Sequence, residues 1–263
     1  MTYRITEEEI QEQWADFRSD YPPFVAYQFS EWEMAKLSAA VVNVLKTQNG
    51  QDFDDYCITD EDDKVGKYLK NVNAQEYPTA LIHGVGTGRE VLVAKEMGFR
   101  AYGTTLGSRN IEFANRYLNL NESEIRECLV DVLPFRSSVF DVVIGVQLFE
   151  HVVSPLPFLL EQSRVLRKGG KLILEWPPAS THTMDDNPHH QVCFVPGQAH
   201  GLFRKAGFDN IKVYYSNMQP VPEELWWSGE AVPGPNGKDL MLCIEGTKAD
   251  SDQQYINSAR YVL

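Results

Sequence analysis

Cysteine is scarce in this chain. Cys57, Cys128, Cys193 and Cys243 are the four in 263 residues, and they fall with no pairing rhythm. That argues against a disulfide-built fold and points to reduced thiols in a cytoplasmic setting. Positive charge is short as well. Lys and Arg number 24 against 37 Asp and Glu, a formal net charge of −13. Such a surface repels phosphate backbones and anionic bilayers, so neither nucleic acid nor membrane is an expected partner. No apolar run is long enough to span a bilayer. Met1-Thr2-Tyr3-Arg4 leads into Glu7-Glu8-Glu9 rather than an apolar stretch, so no signal peptide is expected. The basic group Arg164, Arg167, Lys168 and Lys171 reads as a solvated helix face. Internal repeats and low-complexity tracts are missing too.

What is present suffices for a sizeable core, since 43% of residues are hydrophobic. Three regions emerge. Residues 1–75 read as a helical cap. Thr6 and Glu9 form a capping box ahead of Ile10, Trp14 and Phe17 at helical spacing, and Tyr21-Pro22-Pro23 stops that helix. A second helix is expected from Ser30 to Thr47, an acidic loop from Asp52 to Asp63, and a short helix from Lys64 to Val72. Residues 76–248 alternate strands (Thr79–His83, Arg100–Thr104, Ile125–Val130, Phe140–Gln147, Gly170–Glu175, Asn210–Tyr215, Leu240–Gly246) with helices (Arg89–Met97, Ser108–Leu118, Pro155–Leu166, Gly197–Ala206). This alternation implies an α/β fold, a doubly wound, mostly parallel seven-stranded sheet. Residues 249–263 are a polar tail.

Ligands of an open parallel sheet bind beyond the carboxyl ends of its strands. The first strand runs into Gly84-Val85-Gly86-Thr87-Gly88-Arg89. A dinucleotide fingerprint needs Gly-x-Gly-x-x-Gly, and Arg89 occupies the last position. Glycines at 84, 86 and 88 instead leave a floor free of side chains, on which a ligand can press. Later strands end in Gly103-Thr104-Thr105-Leu106-Gly107-Ser108-Arg109-Asn110, in Asp131-Val132-Leu133-Pro134-Phe135 and in Phe140-Asp141-Val142-Val143-Ile144-Gly145-Val146-Gln147-Leu148-Phe149-Glu150-His151. Arg164-Val165-Leu166-Arg167-Lys168-Gly169-Gly170-Lys171-Leu172 follows.

This ordered set, from about Thr79 to Tyr215, resembles the type 11 group of class I S-adenosylmethionine-dependent methyltransferases. The resemblance implies a Rossmann-like methyltransferase fold with S-adenosylmethionine as cofactor. It places Gly84, Gly86 and Gly88 at the methionine part, with His83 beside them. Thr105, Leu106 and Asn110 fall at the ribose, Asp131 and Val132 at the adenine, and Gly145 and Val146 at the end of the fourth strand. Two positions depart from the pattern. Ile82 stands where the family carries an acid, and Thr105 where it carries a ribose-binding Asp or Glu. The second stretch resembles that of cyclopropane fatty-acid synthases, which also place Thr-Leu there and an amide side chain five residues after the threonine.

The expected activity is methyl transfer to an O, N or C nucleophile of a small molecule, with His151, His189 or His190 available as general base. The run from His182 to His190 is rich in metal-ligand types, yet it lies too far beyond the fifth strand to match known metal-dependent relatives. It reads as a substrate loop, and no metal is expected. Trp226-Trp227 reads either as pocket lining or as a loop anchor. Three other readings compete. An NADP-dependent reductase is opposed by the glycine spacing and by the lack of any Tyr-x-x-x-Lys. Methylene transfer to a lipid is opposed by the acidic surface. A cofactor-binding or scaffold protein with a degenerate fold draws support from Ile82 and Thr105.

Overall fold

A computed structural model describes residues 64–86, 88–106, 108–121, 123–180, 190–235 and 237–250, with backbone alone for 108, 109, 113 and 117. The helices expected within residues 1–63, the acidic loop and nearly all of the polar tail lie outside the described residues. So do His189 and most of the run from 182 to 190.

The elements are α1 (Gly66–Leu69), β1 (Thr79–His83), α2 (Arg89–Glu96), β2 (Arg100–Thr105), α3 (Ser108–Tyr117), β3 (Ile125–Glu127), β4 (Phe140–Val146), α4 (Pro155–Val165), β5 (Leu166–Trp176), α5 (Pro196–Lys205), β6 (Phe208–Tyr215) and β7 (Leu242–Lys248), with 3₁₀ turns at Phe149–His151 and Glu223–Leu225. The strands form one sheet in the order β3-β2-β1-β4-β5-β7-β6. β7 runs antiparallel to both its neighbours, and the remaining pairs are parallel. The expected doubly wound, mostly parallel sheet is therefore present. Strand order reverses between β1 and β4, which sets a crevice at their carboxyl ends.

Every residue of β1 is buried, as a central strand covered on both faces requires. Ala80 and Ile82 face one core with Val91, Ala94 and Ala114 from α2 and α3. Leu81 faces the other with Phe158, Leu159 and Phe203 from α4 and α5. The period-two alternation of a strand divides the apolar residues between the two layers.

Some boundaries shift for local reasons. α1 is a single turn, because the chain tightens at Asn71 and Val72 and then enters an Asx turn in which Asn73 Oδ1 accepts from the N–H of Gln75 (3.0 Å). β5 begins early. Leu166 pairs with Phe140, and a register shift precedes the Lys171–Val142 pair. The basic group is not a solvated face. Arg167 donates to Asp141 (2.9 Å) and Lys171 to Glu245 (2.6 Å), while Arg164 clamps a loop described below. Asp141 also accepts from the backbone N–H and hydroxyl of Thr79. The Asp of the Phe-Asp-Val-Val segment thus ties the amino ends of β1, β4 and β5 together.

Candidate functional site

Gly84, Gly86 and Gly88 all take positive φ (67°, 50° and 97°), the left-handed region that side chains resist. Their surroundings differ. A Cβ on Gly86 would meet nothing within 4 Å, so this backbone lies bare toward the crevice. A Cβ on Gly84 would graze Leu148 at 3.8 Å. A Cβ on Gly88 would strike Leu120 Cδ1 at 2.7 Å, with Ile125 and Ala114 just behind. Gly88 caps α2 and lets that helix settle on the sheet. The bare floor expected from sequence is centred on Gly86, and Gly88 is a packing glycine.

His83 is 2% exposed. The Thr104 hydroxyl and His83 Nδ1 are 2.7 Å apart, and Nε2 lies 2.7 Å from Gln162 Oε1. The Gln162 amide N–H₂ donates to the carbonyls of Val130 (2.9 Å) and Phe158 (3.1 Å). Its oxygen therefore accepts from His83 Nε2–H, which leaves Nδ1 to accept from Thr104. Burial pushes the imidazole down to about 4. With both nitrogens engaged, the ring bolts β1 to β2 and α4 and as placed offers no nitrogen to a ligand.

The same helix shapes the loop after β3. β3 was expected to reach Val130, but it stops at Glu127, because α4 draws the chain away. Gln162 holds the Val130 carbonyl, Glu161 accepts from the N–H of Leu133 (2.7 Å), and Arg164 donates to the carbonyls of Leu133 (3.2 Å) and Phe135 (2.8 Å). Arg164 also pairs with Glu161 and keeps its carboxyl below the usual range. Between these clamps sits Asp131. Its Oδ1 is buried with no hydrogen-bond partner among the described residues. Burial, and then the charge of Glu161, raise its carboxyl above the usual range. A buried acceptor without a donor is costly, and an exocyclic amine would satisfy it. Leu106, just past β2, and Leu129 and Val132, in the loop after β3, stand exposed, which offers apolar surface to a flat ring. The N–H of Val132 is bonded to the Leu129 carbonyl at 3.2 Å.

At the end of β2, the Asn110 amide donates to Thr105 Oγ1 (3.1 Å) and to the Leu106 carbonyl (2.8 Å). The threonine and the amide five residues on are thereby brought together. Ile82 is sealed in the core and brings no acid to the turn. Beyond Gly145 and Val146, Gln147 adopts a left-handed φ of 52°, and its side chain donates to Glu175 (3.2 Å). Glu175 also binds Lys67 (2.7 Å) and the Tyr68 hydroxyl, which carries α1 to the end of β5. Leu148 lies back over Gly84 and Gly145.

Glu150 is 2% exposed, and neither carboxylate oxygen has a hydrogen-bond partner among the described residues. Burial pushes the group up to about 8. His151 Nε2 lies 3.8 Å from Glu150 Oε1, and the His151 and His190 rings meet edge to face at 5.0 Å. The structure thus gathers two of the three histidines singled out in the sequence around Glu150. Trp226 is a loop anchor. It donates to the Val221 carbonyl (3.2 Å) and packs on His200 of α5. A recess of about 280 Å³ lined by His200, Arg204, Phe208 and Asp209 sits at the amino end of β6, away from the crevice.

Gln147, Leu148, Gln162 and Glu175 escape a motif reading. Gln162 alone leaves a trace in the sequence, a polar residue on the apolar stripe of Phe158, Leu159 and Val165. Gln162→Leu leaves His83 Nε2–H and the Val130 carbonyl unpaired. We expect it to cost about 2 kcal/mol in urea unfolding and to weaken ligand binding severalfold by loosening the Asp131 loop. Unchanged stability would show that this bridge contributes nothing.

Among the described residues no helix is long and apolar enough to cross a membrane. No curated protein matches the chain. Solved structures do. YcgJ from Bacillus subtilis aligns with a TM-score of 0.54 at 14% identity, over 72% of this chain and 99% of its own. An S-adenosylmethionine-dependent methyltransferase from Thermotoga maritima aligns at 0.52 and 20% identity, over 70% and 87%. A geranyl diphosphate methyltransferase, solved with that substrate and sinefungin, aligns at 0.54 and 19% identity, over 70% and 78%. These likenesses establish the fold. Residues 81–174 match the family described as "Methyltransferase domain", type 11. That stretch spans the glycine turn, the Asp131 loop and the end of β4, so the chain carries a type 11-like domain of the class I S-adenosylmethionine-dependent methyltransferases.

Proposed function

We propose that the chain transfers a methyl group to an O, N or C nucleophile of a small molecule, in a cytoplasmic setting. The observation that carries the reading is the orphaned Asp131 Oδ1, facing the need for a donor at the adenine end of an open crevice. S-adenosylmethionine supplies a methyl group already activated on a sulfonium. The chain's own task is then to hold, align and shield. Gly86 and the amino end of α2 receive the amino-acid end, whose carboxylate suits backbone N–H groups and the helix dipole. Thr105 and Asn110 take the ribose, and Asp131, with Leu106 and Val132, takes the base. Gly145 and Val146 border the reacting centre. Residues 76–248 act as the cofactor-binding unit. An oxygen or nitrogen acceptor also gives up a proton, and His151 and His190 are the imidazoles beside the end of β4.

A small-molecule acceptor draws support from the acidic surface, with a net charge of −13, and from the substrate of the geranyl diphosphate enzyme. Calorimetric titration with S-adenosylhomocysteine and with NADPH tests the cofactor. Binding of the first alone is expected. Asp131→Ala is expected to lose about 1.5–3 kcal/mol of that binding, about 10- to 100-fold, with no loss of fold. Undiminished affinity in this variant, or preference for NADPH, would overturn the assignment of the site.

A further inference from the structure

We infer that Glu150, His151 and His190 form a binding site for one divalent transition-metal ion at the crevice end of β4. The three side chains come from two separate pieces of chain. Glu150 and His151 lie on the 3₁₀ turn that follows β4. His190 opens the segment whose next two N–H groups, of Gln191 and Val192, both bond the Glu150 carbonyl (2.8 and 3.2 Å). That backbone clamp fixes His190 against the turn. One ligand atom from each residue lies within 4.8 Å of the others, and the His151–Glu150 separation is already 3.8 Å. Tetrahedral ligation at metal–ligand distances of about 2.0–2.1 Å sets donors about 3.4 Å apart, so a modest contraction closes the site.

The donor set selects the ion. Two imidazoles and one carboxylate suit Zn²⁺, Fe²⁺ or Co²⁺, whereas Mg²⁺ and Ca²⁺ prefer oxygen. Glu150 gives the second, independent indication. It is 2% exposed, and neither carboxylate oxygen has a hydrogen-bond partner among the described residues, a burial that ordinarily demands a cation or a donor. Three protein ligands leave a position open, and His151, about a third exposed, marks the side from which a water or an oxygen donor arrives. The site deepens the proposed function and rests on it only for what enters that position. On that reading the acceptor presents an oxygen to the ion, and the imidazoles act as ligands instead of bases.

The test uses the full chain without a histidine tag, stripped by chelator and titrated with Zn²⁺ and with Co²⁺. One ion per chain is expected, with visible cobalt d–d bands and no cobalt–thiolate charge transfer. Glu150→Gln and His190→Ala, each first shown to unfold at the metal-free parent's midpoint, are expected to weaken binding about 100-fold. Failure to take up either ion, thiolate bands, or variants that bind as tightly as the parent would overturn the site. S-adenosylhomocysteine binding, measured on the same stripped chain, reports separately on the methyltransferase reading.

Discussion

Gly86→Val is expected to yield a folded chain that no longer binds S-adenosylmethionine. The position has a left-handed φ of 50° and open space where the side chain would stand. A β-branched residue there costs about 1–2 kcal/mol of backbone strain, which a domain of ordinary stability survives. Its two methyl groups would project into the space the cofactor's amino-acid end must occupy. A loss of at least about 100-fold in affinity, about 2.7 kcal/mol, follows. Two residues away the same substitution should do the reverse. A side chain on Gly88 would collide with Leu120 and crowd Ile125 and Ala114. Overpacking of about 1–3 kcal/mol then adds to the strain at φ 97°, so Gly88→Val is expected to lower stability by about 2–5 kcal/mol. Calorimetry with S-adenosylhomocysteine, read beside chemical unfolding, separates the two glycines. Wild-type affinity in Gly86→Val would place the cofactor elsewhere.

This division of labour shows what a linear reading can and cannot reach. β1 and the glycine turn are legible because their signals are local, the apolar Ala80-Leu81-Ile82 between turn residues and three glycines that take positive φ. The Asp131 position is legible through its order among the strand ends. The duty of Gly88 is not, because it is set by Leu120 and Ile125, far along the chain. The same holds for Gln162, whose partners lie on β1 and in the loop before Asp131. Asp141 and Arg167 look like part of a functional signature, yet they pair with each other at the amino ends of the strands. Glu150 and His151 are adjacent in sequence, but nothing there discloses that His190 folds back upon them. Motif order finds the crevice, whereas the long-range pairings that hold it in shape appear only in three dimensions.

His83 belongs to that second class, and it makes the fold sensitive to acid. Its folded-state value of about 4 lies well below the unfolded value of 6.5. The unfolded chain therefore binds the extra proton first as pH falls, and each protonation event draws the equilibrium toward unfolding. The stabilisation is complete above pH 6.5. About 2 kcal/mol of it is gone by pH 5, and about 3 kcal/mol below pH 4. Protonating Nδ1 in place reverses the Thr104 bond, so that the hydroxyl accepts and must turn its own hydrogen elsewhere, since the Nε2 side is already committed to Gln162. Urea unfolding across pH 7 to 4.5 should show this slope on top of that from the carboxylates. In His83→Gln, which cannot titrate, the slope between pH 6.5 and 5 should flatten by about 2 kcal/mol, whatever the variant loses at pH 7. An identical slope in both chains would mean that the imidazole is not neutral and enclosed at the sheet–helix junction, and the bridge from β1 through Gln162 to the Asp131 loop would fail with it.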